Sequence, residues 1–558
     1  MDNTTAGDST VTDNDSLPSV AGNGGPMEAG ARIRKIGFWL YVAAIASVGT
    51  FGMLSHNVAD TDLWGKMAIG ALWHATGEFP YQDVFAYTAP NARWVDHEWG
   101  SGVIFYWIMD ILGSAGLFVL RLALFFLTMT CIVFAHRRAE SMRETRFSDR
   151  AQLFFLVTLL IGFPLILLIA FNVTIRSQQF SYVFYAFFLW MLDDARTRDR
   201  SRLYALFPPL MLIWINLHGG FLYGFAAMGL YTVWSIFERR WAHTRVLIGT
   251  IALCMTVSFL NPYGFNFYQQ MVEGWLLSRP DITEWDASVD FSTFDPIGIL
   301  STMFVVVWAA VAGYIWNRDR DGFPGHFLLI AATGFEGILH IKLLPLAIVT
   351  LFIVGPRLSF GARQSTDDST NPSSLTRAFR DAVCLWFPLT LVCAGIFGTT
   401  RLALAPGSVL RVNVAQNGDH IRYPVGATHF LRENGIQANL WCNFNYGQFL
   451  FWNLYPNVNV SIDGRYEAVY SIETAKHNIQ VYHGNLGVET ILEYPTTHVL
   501  AHRDDHDLRE KLNANPAWTK IYYDEHYHLY TNSTRPLEQA VVETLLSHDS
   551  KMEDFWGN

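Results

Sequence analysis

Long apolar runs, separated by short polar ones, fill the chain from Ile36 to Leu402. Each approaches the roughly 20 residues a helix needs to cross a bilayer. After the run 36–54 they fall near 116–135, 151–171, 179–192, 203–217, 219–237, 245–260, 296–316, 325–340, 343–357 and 382–402. The pattern predicts about eleven spans. The polar connections sort into two kinds that alternate along the chain. Those at 136–150, 193–202, 238–245, 317–321 and 356–380 are rich in Arg. Those at 55–100, 172–178, 218–220, 261–295 and the tail from Leu404 hold few basic residues. Basic loops stay on the cytoplasmic side. An odd number of spans then leaves the N-terminus cytoplasmic and the last domain extracytoplasmic.

Three regions are expected. Residues 1–31 are polar, acidic and rich in Gly, Ser and Thr, and read as a disordered tail. Arg32, Arg34 and Lys35 then precede the first apolar run, as in a signal-anchor. Residues 32–403 form the membrane part, with a long first outer loop at 55–100. Residues 404–558 have the composition of a water-soluble domain. In that tail 424–433 and 504–513 read as helices, and 457–462, 497–502, 518–523 and 527–531 as strands. The fold class is therefore an α-helical polytopic membrane protein with a small C-terminal α/β domain.

Composition agrees. The chain of 558 residues is 51% hydrophobic and 16% charged, against roughly 25% charged in soluble proteins. A net charge of −10 offers no basic face for nucleic acid. Cys131, Cys254, Cys384 and Cys393 lie in apolar runs and only Cys442 stands outside them, so no disulfide framework is expected.

Polar residues gather at the outer ends of the spans, where each needs a partner or a function. Asp60-Thr61-Asp62 opens the stretch 62–74, whose Leu63, Trp64, Met67, Ala71 and Leu72 have near-helical spacing. A helix lying at the interface is expected there. The two carboxylates either hold a hard divalent cation, act as a general base, or cap the helix with Asp60 as N-cap. Both reach one ion only if Asp60 is non-helical. Asp96-His97-Glu98-Trp99 closes the loop before an apolar helix, at a site or at a favoured helix N-terminus. Arg176-Ser177-Gln178-Gln179 lies where two spans meet outside; Arg176 suits a phosphate, or snorkels. Asn216-Leu217-His218-Gly219-Gly220 makes a tight outer turn, and His218 can donate to an anion. Glu284 adds a carboxylate in a later loop. Glu336 and His340 are i, i+4 in an apolar setting, and Lys342 at the outer mouth attracts a lipid phosphate. His74 and Asp83 read as loop structure, Asp463-Gly464-Arg465 as a turn after a strand. Trp441, Tyr446, Trp452 and Tyr466 either stack on sugar rings or form core, with core preferred.

In this order the motifs resemble the GT-C superfamily of integral-membrane glycosyltransferases, which includes oligosaccharyltransferase catalytic subunits, protein O-mannosyltransferases and aminoarabinose transferases. The resemblance is closest to an uncharacterised bacterial branch. It rests on Asp60-Thr61-Asp62-Leu63-Trp64, Asp96-His97-Glu98-Trp99, Trp214-Ile215-Asn216-Leu217-His218-Gly219-Gly220, Asn261-Pro262-Tyr263-Gly264 and Asp463-Gly464-Arg465. The chain departs from that branch at Gly65-Lys66, where Trp-His is expected, at Gly102, where an acidic residue is common, and at Lys342, where Arg is expected. The resemblance implies transfer of a sugar from a polyprenyl-phosphate-linked donor to a glycan, lipid or protein acceptor on the extracytoplasmic face of a bacterial inner membrane. It implies Asp62 or Asp60 as base, with the other in support or as a ligand to Mg or Mn. Arg176, Lys342 and His218 would hold the phosphate. Asp96 and Glu98 would bind the acceptor or a metal, and His97, Gln178, Asn216, Glu284, Glu336 and His340 would line the substrate site. The alternative is a non-catalytic envelope-assembly protein or a transporter of lipid-linked glycan.

Overall fold

The computed structural model describes residues 26–55, 57–88, 93–141, 174–276, some positions between 305 and 316, 324–360, 374–404, 412–416, 420–421 and 423–534. The expected tail at 1–31, save its last residues, the run 151–171, most of the run 296–316 and Glu284 lie outside them. The described chain is mostly helical with a two-stranded and a five-stranded sheet.

Its helices are α1 (Pro26–Ser55), α2 (Thr61–Thr76), α3 (Trp99–Ser141), α4 (Gln178–Arg198), α5 (Phe207–Leu217), α6 (Phe221–Phe237), α7 (Trp241–Ser258), α8 (Phe265–Leu276), α9 (Gly325–Leu339), α10 (Leu344–Phe360) and α11 (Ser374–Ala403). Among the described residues one helix, Trp99–Ala135 within α3, is long and apolar enough to cross a membrane. Phe221–Phe237, Gly325–Leu339, Pro388–Ala403 and two others are apolar but shorter. Residues 103–112 and the expected span 116–135 lie on two limbs of α3. They meet at a bend at Gly113, whose φ of 65° and ψ of −165° suit only glycine. α1 and α11 pack along each other, and a Cβ at Gly395 would fall 2.8 Å from the backbone of Ser47.

The surface of this part is apolar where it faces outward. Ile111 is 74% exposed, Phe237 67%, Leu260 66% and Phe397 68%. Exposed large hydrophobics in such number mark surfaces that meet apolar surroundings. The residues described beyond 412 contrast sharply: there only Ile472 and Tyr523 are large exposed hydrophobics. The contrast separates a helical part with many exposed hydrophobics from a domain with a polar surface. The Arg-rich turns of the bundle are tied by ion pairs, Arg198 to Asp194 at 3.2 Å and Arg240 to Asp199 at 2.8 Å.

The terminal domain contains a short hairpin, β1 (Ala415–Gln416) and β2 (His420–Ile421), then α12 (Val425–Glu433), β3 (Ala438–Trp441), α13 (Gly447–Leu454), β4 (Val458–Val460), α14 (Ile472–Tyr482), β5 (His498–His502), α15 (His506–Ala514), β6 (Trp518–Tyr523) and β7 (Tyr527–Asn532). The main sheet has the order β4-β3-β5-β7-β6, with β4, β3 and β5 parallel and the other pairs antiparallel. The hydrophobic pattern placed β4 to β7 within a residue or two. It missed β3, a short run folded into the core. Cys442, which the pattern left outside the apolar segments, is fully buried beside β3. Trp441, Trp452 and Tyr466 are buried, which is the core reading.

The first outer loop belongs structurally to this domain. Ala86 bridges to Val460 of edge strand β4, with Val460 N–H donating to Phe85 O at 2.9 Å and Tyr87 N–H to Val460 O at 3.2 Å. Phe85 stacks on Phe451 at 4.3 Å. A strand edge that would otherwise stand open is thereby covered. Arg465 locks the same junction. Its guanidinium donates to Asp463 at 2.8 and 2.7 Å, pairs with Asp83, and lies 4.6 Å over the Trp94 ring. Tyr470 donates to the same Asp463 carboxylate. These groups are buried, so the Asp-Gly-Arg turn is a structural clasp between loop and domain. Asp463 and Asp83 hold the Arg465 guanidinium well above its ordinary value although burial opposes them.

Candidate active site

The site begins at the N-terminus of α2. Asp60 is extended, with φ −73° and ψ 151°, and its Oδ1 accepts the Asp62 N–H at 3.0 Å. It is a working N-cap. Capping leaves Oδ2 available, and that atom lies 2.7 Å from Arg176 Nε. Nη2 of the same guanidinium is 3.7 Å from Asp62 Oδ2. The two carboxylates thus do converge, because Asp60 is non-helical, but they converge on a side-chain cation. The side chains of Asp60 and Arg176 are 6% and 10% exposed, whereas that of Asp62 is 44% exposed. Of the two carboxylates, Asp62 is the more accessible.

One turn along α2, Lys66 extends between two more acids. Its Nζ lies 2.8 Å from Asp96 Oδ1 and 3.1 Å from Glu98 Oε2. Burial acts to lower the ammonium pKa, but Asp96 and Glu98 outweigh it and hold Lys66 above its usual range. Burial likewise works against the Glu98 carboxylate, and Lys66, His218 and His97 overcome it and hold Glu98 well below the usual carboxylate range. Oδ1 of Asp96 also accepts the Glu98 N–H at 3.1 Å, while Oδ2 is buried without a hydrogen bond.

His218 joins this network from the turn between α5 and α6. Its Nδ1 accepts the Gly220 N–H at 2.9 Å and lies 2.7 Å from Ser181 Oγ. Trp214 Nε1 donates to that Oγ at 2.7 Å, so the hydroxyl proton points at Nδ1. The imidazole proton is left on Nε2, which faces Glu98 Oε1 at 3.4 Å. Burial, chiefly, lowers the His218 pKa to about 4; Glu98 pulls it up, and His97, Lys342 and Lys66 push it down. The ring is neutral at physiological pH and its N–H is directed at Glu98. Lys342, in the 3-10 turn after α9, acts on His218 electrostatically, which brings that turn to the same end of the bundle. His97 is partly exposed, 3.6 Å from Glu98.

Other expected lining residues have structural partners. Asn216 accepts the Trp99 indole N–H at 2.9 Å and donates to Leu212 O and Leu260 O. Gln178 Oε1 accepts from Tyr182 at 3.5 Å. His340 closes α9, its N–H donating to Glu336 O at 2.9 Å, and Glu336 interacts electrostatically with Tyr223.

Two of the departures from the resembled pattern, at Gly65-Lys66 and at Gly102, have a geometric reason. A Cβ at residue 102 would fall 2.6 Å from Lys66 O, because α2 and α3 cross with their backbones in contact. An acidic side chain cannot stand there. Lys66 supplies the cation for Asp96 and Glu98 instead. A Cβ at Gly65 would collide with the amide of Gln448, which comes in from α13 of the terminal domain. Gln448 Oε1 accepts the Gly65 N–H at 3.0 Å, and its Nε2 is 3.4 Å from Asp62 Oδ1. The sequence pattern did not single out Gln448; a glycine inside a helical pattern was the one available signal that another chain segment comes close.

At Asp60 and Asp62 the charge that a Mg or Mn ion would balance is met by Arg176. Among the described residues no group of three His, Cys, Asp or Glu side chains is arranged to hold a metal. Arg176 and Lys66 occupy the spaces between the carboxylates, and an ion at Asp60 would have to expel the guanidinium.

No protein-family model and no curated protein matches the chain. Among solved structures, the apo oligosaccharyltransferase of Archaeoglobus fulgidus aligns with 83% of this chain and 69% of its own at 10% identity, with a TM-score of 0.47. The A. fulgidus oligosaccharyltransferase AglB in complex with an inhibitory peptide and a dolichol-phosphate aligns with 90% of this chain and 75% of its own at 12% identity, with a TM-score of 0.38. Both scores are too low to transfer a fold or an activity.

Proposed function

We propose that the protein is a membrane glycosyltransferase that moves a sugar from a polyprenyl-phosphate-linked donor to a hydroxyl or amine acceptor. The observation that carries this is the half-exposed Asp62 carboxylate held 3.7 Å from a buried guanidinium, against a polar-surfaced domain and in a chain whose helical part exposes many large hydrophobics. Such transfer needs a base for the acceptor and a cation for the departing phosphate at a lipid–water boundary. Asp62 takes the acceptor proton as the acceptor atom bonds to the anomeric carbon. The bond from that carbon to the phosphate oxygen breaks, and its electron pair leaves with the polyprenyl phosphate. Protonation of Asp62 cancels one of the two negative charges on Arg176. The guanidinium thereby becomes free to compensate the phosphate in the same step. Asp60 keeps Arg176 in place throughout. The Lys66–Asp96–Glu98–His218 network fixes the end of the outer loop against α2, and Lys342 adds positive charge at the mouth. The acceptor is a cell-envelope glycan, lipid or protein, and the setting a bacterial inner membrane with the domain outside. The test is lipid-linked-sugar profiling of a deletion strain carrying variants. Asp62→Asn and Arg176→Gln should both leave the donor accumulated, and full rescue by Asp62→Asn would refute the assignment.

A further inference from the structure

We infer that Gln448 of the terminal domain is a positioning residue that aims Asp62, so that the domain completes the site rather than merely adjoining it. The inference rests on the reading of Asp62 given above. Gln448 is almost fully buried although an exposed helix position would satisfy it with water. Both ends of its amide are in use. Because Oε1 accepts the Gly65 N–H, Nε2 is the end directed at Asp62 Oδ1, and the network leaves no choice of amide orientation. Arg176 faces the other oxygen, Oδ2, at 3.7 Å. The two contacts together fix the carboxylate plane.

A second part of the domain reaches the same atom. A Cβ at Gly464 would fall 3.0 Å from Asp62 Oδ1 and 2.6 Å from Gln448 Nε2. The turn that brings Gly464 there is under strain, since Tyr466 holds a φ of 38°, a region a bulky side chain rarely occupies. The Asp463–Arg465 clasp and the Asp83 pair hold that turn down. Asp60 and Arg176 are charged groups within reach of Asp62, and the domain brings the neutral Gln448 amide and Gly464 against it. The geometry is that of a lid whose underside is shaped to one carboxylate.

The test uses the full chain in lipid nanodiscs and a water-soluble carbodiimide with an amine, at one pH, with labelling of each carboxylate read by mass spectrometry. In the wild type Asp62 should label slowly and Asp60 hardly at all. Gln448→Ala should raise Asp62 labelling about fivefold with Asp60 still protected. Gly464→Ala, which displaces the amide, should do the same. Gln448→Glu keeps the shape and the Gly65 contact but replaces the donor by an acceptor, and should also speed Asp62 labelling if the alanine variant fails to fold. Unchanged Asp62 labelling in Gln448→Glu and Gly464→Ala overturns the inference. So does simultaneous exposure of Asp60, which would mean that Gln448 only docks the domain. Binding of farnesyl phosphate to the wild type is measured in parallel. Its absence would count against the donor reading alone, since the labelling ratio judges Gln448 without any substrate.

Discussion

Replacing Arg465 by Met should loosen the protein by several kcal/mol without touching a group that meets substrate. The Arg465 side chain is 6% exposed, and the two carboxylates it holds are 1% and 0% exposed. Methionine fills much of the same volume and leaves both carboxylates buried without a cation. Breaking a buried pair in this way costs about 3–5 kcal/mol, most of it the uncompensated charge left behind. Loss of the cation over Trp94 adds about 1 kcal/mol. At roughly 2–4 °C per kcal/mol for a unit of this size, the melting temperature should fall by about 10 °C. Differential scanning fluorimetry of the detergent-solubilised full chain measures that shift, and limited proteolysis should show earlier cleavage near 83–93. Arg465→Lys keeps the charge but not the planar fork and should recover only part of the loss. Adding Asp83→Asn to Arg465→Met should cost less than the sum of the single changes, because one orphaned charge is gone. A melting temperature within about 2 °C of wild type in Arg465→Met, roughly a fifth of the expected shift, would refute the account of this cluster.

Gly102→Ala should lower the melting temperature and impair assembly, because its Cβ meets Lys66 O at 2.6 Å and neither backbone can retreat without parting α2 from α3; overpacking of this kind costs about 1–3 kcal/mol. Asp60→Ala loses a cap worth about 1 kcal/mol and also releases Arg176, so donor turnover should fall together with stability, whereas Asp62→Asn should abolish turnover at unchanged melting temperature. The pH dependence has a definite sign. The unfolded His218 protonates near 6.5 and the folded one only near 4, so its neutral buried form contributes stability above about pH 6.5 that is lost as pH falls towards 4. Glu98, held low, adds a loss that sets in below its ordinary value of 4.5. His218→Gln should therefore flatten the stability profile between pH 4 and 6.5 in a thermal-melt series, and an unchanged slope would contradict the burial argument. Chelation of divalent ions with EDTA should leave farnesyl phosphate binding unchanged, since Arg176 and Lys66 already stand where a metal would; a tenfold loss of affinity, about 1.4 kcal/mol, would show that a metal displaces them.

Hydrophobic period made most of this fold legible. The run 179–192 became α4, the loop pattern 62–74 became α2, and the strands at the end of the chain fell where alternation placed them. The count of eleven spans is not shown by the described residues, where one helix is long and apolar enough to cross a membrane, and the Gly113 bend depends on neighbours rather than on local pattern. In the site, Asp60 as a cap could be read from its own few residues. Its bond to Arg176 could not, because the two are joined only through the packing of α2, α3 and α4. The clasp of Arg465 to Asp83 and the reach of Gln448 to Asp62 were hidden for the same reason, each linking segments nearly 400 positions apart. Lys66 looked like a departure from a motif and turned out to be the cation of its own network.

The strand-like stretch around Ala86, seated on the edge of β4, has a consequence for biogenesis. The docking groove for this early piece of chain is made only when the last quarter has been synthesised. Until then Phe85 lacks its stacking partner and Asp62 its ceiling. A nascent or truncated molecule therefore lacks the proposed site, which is complete only when these two distant segments have met.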